Sequence, residues 1–128
     1  MHIEHIALWS KDIERLKDFY QTFFNAECGQ KYSNPKKAFE SYFLSFAKGP
    51  RIEIMTIPGL IDHSADSSFM IGYSHLAFAL GSEKEVDQMT QRMREAGVKI
   101  ISEPRRTGDG YYESVVADPD GNSVELTV

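Results

Sequence analysis

Several familiar classes are excluded by what this chain of 128 residues lacks. It has one cysteine, Cys28, so no disulfide can close within the chain. Its 14 Lys and Arg are outnumbered by 19 Asp and Glu, for a formal charge of −5, and no basic run exceeds two residues. A field of that sign repels polyanions, so nucleic acid is not an expected partner. No apolar run approaches the ~20 residues needed to cross a bilayer. The first residues also lack the basic and apolar regions of a secretory signal. The expectation is a cytoplasmic protein with no membrane partner. Disorder is not expected either, because 41% of the residues are hydrophobic and 26% charged, the balance of a folded domain. A chain of this length buries roughly two-thirds of its unfolded surface, enough for one core.

An internal repeat is what is present instead. Ile3 to Trp9 and Tyr73 to Ala79 are matched β-like runs, each with one histidine, His5 or His75, between apolar neighbours. Arg51 to Met55 and Ser123 to Thr127 are a second matched pair, centred on Glu53 and Glu125. Alternation places Ile3, His5, Ala7 and Trp9 on one strand face, and Ser123, Glu125 and Thr127 on another. After the first strand, Ser10 is the expected N-cap of a helix over about 11–24, whose stripe is Ile13, Leu16, Tyr20 and Phe23. Strands are expected near 27–33, 39–46 and 51–57. After the second histidine strand, Ser82 and Glu85 form a capping box, and Val86, Met89, Met93 and Ala96 mark a helix ended by Gly97. Strands near 98–103, 110–117 and 122–128 complete the second copy.

The order is therefore βαβββ twice. One domain over 1–128 is expected, with module 1 at 2–57, a connector at 58–71 and module 2 at 72–128. One helix per module covers one face of each sheet. The remaining faces are expected to curl around a cleft that holds the two histidines and two glutamates. Each of these residues alone reads as an ordinary strand residue. Their repetition in register, with glutamate unusual between aliphatic neighbours in a strand, points to one metal site of His5, Glu53, His75 and Glu125. Imidazole and carboxylate suit a divalent ion such as Zn, Ni, Co, Mn or Fe.

The chain resembles the vicinal oxygen chelate superfamily, which includes glyoxalase I, methylmalonyl-CoA epimerase, extradiol dioxygenases and bleomycin-resistance proteins. The resemblance runs through His5-Ile6-Ala7 with Asp12 and Phe19-Tyr20, through Ile52-Glu53-Ile54 and Ser74-His75-Leu76-Ala77-Phe78, and through Asp118-Pro119-Asp120-Gly121-Asn122 leading into Val124-Glu125-Leu126. It implies an α+β fold in which two βαβββ modules form an open metal-containing barrel, often as a homodimer. His5, Glu53, His75 and Glu125 match the ligand pattern of bacterial glyoxalase I. The implied activity is that of a lyase or isomerase of lactoylglutathione lyase type, acting on a small carbonyl or thiol-hemithioacetal substrate through a metal-stabilised enediolate. Its proton is taken by Glu125 or its pseudosymmetric partner Glu53, and glutathione or another thiol adduct is the implied partner. The alternatives are a CoA-thioester epimerase, a dioxygenase, or a non-enzymatic small-molecule-binding protein of the bleomycin-resistance kind.

The chain departs from that pattern at Trp9, which stands where such enzymes tend to carry an arginine for glutathione's carboxylate. Arg51, Arg105 and Arg106 are other candidate anion contacts, the last two in an expected loop, Pro104 to Gly110. Asp118 to Gly121 reads as a turn rather than a calcium loop, and Cys28 as a buried thiol.

Overall fold

The computed structural model describes residues 1–62 and 71–128, so most of the expected connector lies outside the described residues. The chain divides into two compact units, residues 1–63 and 64–128. In the first, β1 (His5–Trp9) is followed by α1 (Ile13–Phe24), the short β2 (Glu27–Cys28) and β3 (Tyr32–Asn34), then β4 (Phe39–Ser45) and β5 (Arg51–Thr56). The sheet runs β1-β5-β4-β2, with β3 also on β4. The single strand expected near 27–33 is thus two pieces, both antiparallel to β4.

In the second unit β6 (His75–Ala79) precedes α2 (Glu83–Glu95), β7 (Ile100–Arg106), β8 (Tyr112–Ala117) and β9 (Ser123–Thr127), in the sheet order β6-β9-β8-β7. The mixed α+β architecture and the doubled β-α-β plan agree with the sequence. In both units the first strand lies parallel to the last, and the other pairings are antiparallel.

Each helix lays one stripe on its own sheet. Ile13, Leu16, Phe19, Tyr20 and Phe23 are buried on α1, which packs on β4 and β5. There they meet Leu44, Ile52 and Ile54, also buried. Burying an aliphatic side chain of this size contributes about 1.5–3 kcal/mol. The helix cap is Asp12, whose carboxylate accepts from the Arg15 amide at 3.0 Å, and not Ser10. Ser10 is still committed to the sheet, because its amide donates to the Met55 carbonyl at 2.9 Å. On α2 the buried stripe is Val86, Thr90 and Met93. Thr90 takes the place expected for Met89 because its hydroxyl is satisfied twice. It donates to the Val86 carbonyl at 2.7 Å and pairs with Ser114 Oγ at 2.6 Å. Ser82 caps α2 as expected, accepting from the Glu85 amide.

Pro104, Arg105 and Arg106 lie in β7, not in a loop. A proline is tolerated there because β7 is the sheet edge, and the register shifts between Ser102 and Arg105. The turn after β7 closes through the Thr107 amide donating to the Tyr111 carbonyl at 2.8 Å.

Two local networks carry measurable consequences. The turn before β9 is built on buried Asp118, which accepts from the amides of Asp120 and Asn122 and from the Asn122 side chain, each at 2.9 Å. Asp118→Ala strands both amides and is expected to cost about 2 kcal/mol, read as a lower urea midpoint with an unchanged slope. Near the start of α1, Glu14 contacts Lys17 at 2.5 Å, Lys31 at 2.9 Å and the Tyr42 hydroxyl at 2.9 Å. Hydrogen bonds from Lys17, then Lys31 and Tyr42, hold its carboxyl at about 2, below its ordinary 4.5. A depressed carboxyl stabilises the fold above its unfolded value and loses that contribution as pH falls through the folded one. Glu14 is half exposed, so screening leaves about 0.5–1 kcal/mol. The difference in unfolding free energy between the parent and Glu14→Gln is expected to be constant above about pH 5 and to close as pH falls from about 4.5 to about 2. A difference that persists in full at the acid end contradicts this role for Glu14.

Candidate metal centre

The parallel pairing sets the position of every candidate ligand. In unit 1, β1 pairs with β5 so that His5 faces Arg51 and Ala7 faces Glu53. In unit 2, His75 faces Ser123 and Ala77 faces Glu125. Each histidine therefore sits diagonally across the strand pair from its glutamate, on the same face, within reach of a long side chain. The residue directly paired with each glutamate is alanine, Ala7 or Ala77, a small side chain. That face is opposite the helix, because Ile52 and Ile54, or Val124 and Leu126, take the alternate positions and are buried.

The diagonals produce matching pairs. His5 Nε2 lies 3.9 Å from Glu53 Oε2, and His75 Nε2 lies 3.5 Å from Glu125 Oε2. The imidazoles are accessible, at 40% and 45%, while the glutamates are mostly covered, at 16% and 15%. Neither glutamate is a solvated outward-facing strand residue. With ligand bonds of about 2.1 Å, two donors on a tetrahedral or octahedral ion lie about 3.0–3.4 Å apart. The two pairs are close to that spacing, and neutral imidazole nitrogen with carboxylate oxygen is a donor set suited to a divalent cation. Among the described residues no group of three His, Cys, Asp or Glu side chains is arranged to hold a metal ion. Each unit by itself presents one His–Glu pair of candidate ligands.

The surroundings of the two pairs differ. In unit 1, His5 meets Phe43 edge-on at 5.4 Å, and its Nδ1 is hydrogen-bonded to Glu4, which is also paired with Arg51. Hydrogen bonds from His5, then Arg51, hold the Glu4 carboxyl below its ordinary value. Arg51 stacks over Phe43 at 4.2 Å. It is therefore engaged within the protein and not poised as an anion contact. Farther along β1, Trp9 meets Phe39 edge-on at 6.4 Å, and Tyr32 lies 6.0 Å from Phe39. Trp9 is 49% exposed, so an aromatic group stands where the resemblance led one to look for a guanidinium.

In unit 2 the neighbours are charged. Glu113 pairs with Thr127, and Val115 with Glu125, so Glu113 lies diagonal to Glu125 on the same face. Burial, then the Glu113 carboxylate, pushes the Glu125 carboxyl above its ordinary value against the pull of His75. Arg105 contacts Glu113 at 3.4 Å and donates to Ser102 Oγ at 3.2 Å. Arg106 is held by Glu83 and by the Gly110 carbonyl. The repeat gives no sign of Glu4 or Glu113, because neither has a counterpart in the other half; strand alternation from Ala117 through Val115 could have placed Glu113. Cys28 is only partly covered; burial raises its thiol, and it donates to the Gly29 carbonyl at 3.3 Å.

A sequence profile described as Glyoxalase/Bleomycin resistance protein/Dioxygenase superfamily matches residues 2–126. The chain belongs to that superfamily. Within the glyoxalase/bleomycin resistance protein/dioxygenase superfamily it is 31% identical to the uncharacterized protein YqjT of Bacillus subtilis, over 97% of this chain and 96% of the relative. It is also 36% identical to the glutathione transferase FosA of Serratia marcescens, but over 56 residues, 44% of this chain and 37% of that one. Among solved structures, the glyoxalase family protein of Enterococcus faecalis superposes with a TM-score of 0.81 at 23% identity, covering 98% of this chain and 96% of that one. The lactoylglutathione lyase of Agrobacterium tumefaciens superposes with a TM-score of 0.70 at 22% identity, covering 98% and 91%. At those identities the structural likeness is one of fold.

Proposed function

We propose that His5, Glu53, His75 and Glu125 hold one divalent cation, two ligands from each unit, and that the protein is a glyoxalase-like lyase or isomerase. The observation that carries this reading is the matched diagonal pair: the same two residue types at the same register positions of a parallel strand pair, twice. Superfamily membership and the likeness to lyase folds support it.

The bound cation would supply Lewis acidity to a carbonyl or α-hydroxycarbonyl group, with a thiol hemithioacetal as the fitting substrate class. The protein's own part is proton movement. Glu125 accepts the proton from the carbon beside the carbonyl and returns it to the neighbouring carbon. Glu53 is its counterpart in unit 1. The aromatic group of Trp9, Phe39 and Tyr32 suits an apolar or flat portion of the substrate better than a carboxylate. Thiol transfer, suggested by the partial match to the glutathione transferase FosA, is the second reading.

Titration with Ni(II) or Zn(II) is expected to give one ion per chain, and His5→Ala and His75→Ala are each expected to weaken binding by at least tenfold. Methylglyoxal with glutathione, or with another small thiol, should be isomerised by the loaded protein. Equal metal affinity in both variants contradicts the shared site. Metal binding without isomerase turnover, together with transfer of glutathione to a small electrophile, favours the second reading.

A further inference from the structure

We propose that Glu4 and Arg51 are positioning residues that fix the tautomer and ring orientation of His5, an arrangement for which the second copy of the repeat lacks the residues. This rests on the proposed metal centre, through contacts internal to unit 1. An ionised carboxylate can only accept, so the His5 Nδ1 that meets Glu4 carries the ring hydrogen. Nε2 is left with its lone pair on the side of Glu53, 3.9 Å away. A carboxylate behind an imidazole raises its basicity and holds its ring orientation, an arrangement typical of metal-bound histidine.

The relay continues one step farther. The Arg51 amide donates to the Glu4 carbonyl at 3.1 Å, extending the β1–β5 ladder by one bond and setting the two residues side by side. The Arg51 guanidinium then pairs with the Glu4 carboxylate while lying over Phe43, the ring that also makes a T-shaped contact with His5. Arg51, Glu4, Phe43 and His5 thus restrain one another.

The second copy of the repeat removes both charges. Ser74 precedes His75 as Glu4 precedes His5, and Ser123 lies opposite His75 as Arg51 lies opposite His5. Among the described residues, Glu125 is the one carboxylate paired with His75. The charged relay therefore stands behind His5, and His75 has serines at the two matching positions.

The test uses the intact protein and two readouts. Long-range proton–nitrogen spectra of the metal-free protein report the His5 tautomer directly, and Ni(II) titration reports affinity. The parent should show His5 protonated at Nδ1. In Glu4→Ala the tautomer should move to Nε2–H, and Ni(II) affinity should fall about 10–100-fold. Glu4→Gln keeps an acceptor without the charge and should fall between the two. Ser74→Ala, the matching change in unit 2, should stay within about twofold of the parent, since no charged partner is lost there. Glu4 is exposed, so the thermal midpoint of the metal-free variants should not move enough to confuse the result.

A parent His5 protonated at Nε2, or Glu4→Ala binding Ni(II) as tightly as the parent, overturns the relay. A parent that has the Nδ1–H tautomer but binds neither Ni(II) nor Zn(II) overturns its role in ligation and the metal reading with it. A relay that fails beside intact metal binding leaves the proposed function standing.

Discussion

Parallel pairing between the first and last strands of each unit is the constraint on which everything else depends. It brings together residues 48 and 50 positions apart in sequence, His5 with Glu53 and His75 with Glu125, and it fixes them two register steps apart on one face. A slip of β5 or β9 by one residue would turn Glu53 or Glu125 toward the helix and Ile52 or Val124 away from it, parting each glutamate from its histidine. The hydrophobic pattern that packs α1 and α2 therefore also fixes the register of the candidate ligands, because the same alternation that buries Ile52, Ile54, Val124 and Leu126 puts Glu53 and Glu125 on the opposite face.

Within that frame the two copies have diverged in what surrounds the ligands. Unit 1 carries aromatic rings, a charged relay behind the histidine, and Trp9 along the same strand. Unit 2 carries Glu113 and Arg105 beside its glutamate. The four candidate ligand residues repeat and their neighbours do not.

Much of this is legible in the sequence because it is periodic. The βαβββ repeat, the helix stripe of Ile13, Leu16, Tyr20 and Phe23, the Ser82 cap and the four candidate ligands all follow from spacing. The features that escape it depend on hydrogen bonds or on sheet position. Ser10 has the composition of a cap, but its amide belongs to the β-ladder, so Asp12 caps instead. Thr90 reads as polar until Ser114 is found beside it. Pro104 signals a loop in sequence, and only the place of β7 at the sheet edge lets the strand run through it. Glu4 and Glu113 lie outside the repeat, so symmetry could not point to them.

The central claim is that one cation takes an imidazole from each half. The most direct measurement is the coordination of bound Zn(II) by X-ray absorption, which counts imidazole ligands through their outer-shell scattering. Two imidazoles, with the remaining donors all oxygen, are the expected result. One imidazole, or none, contradicts the claim.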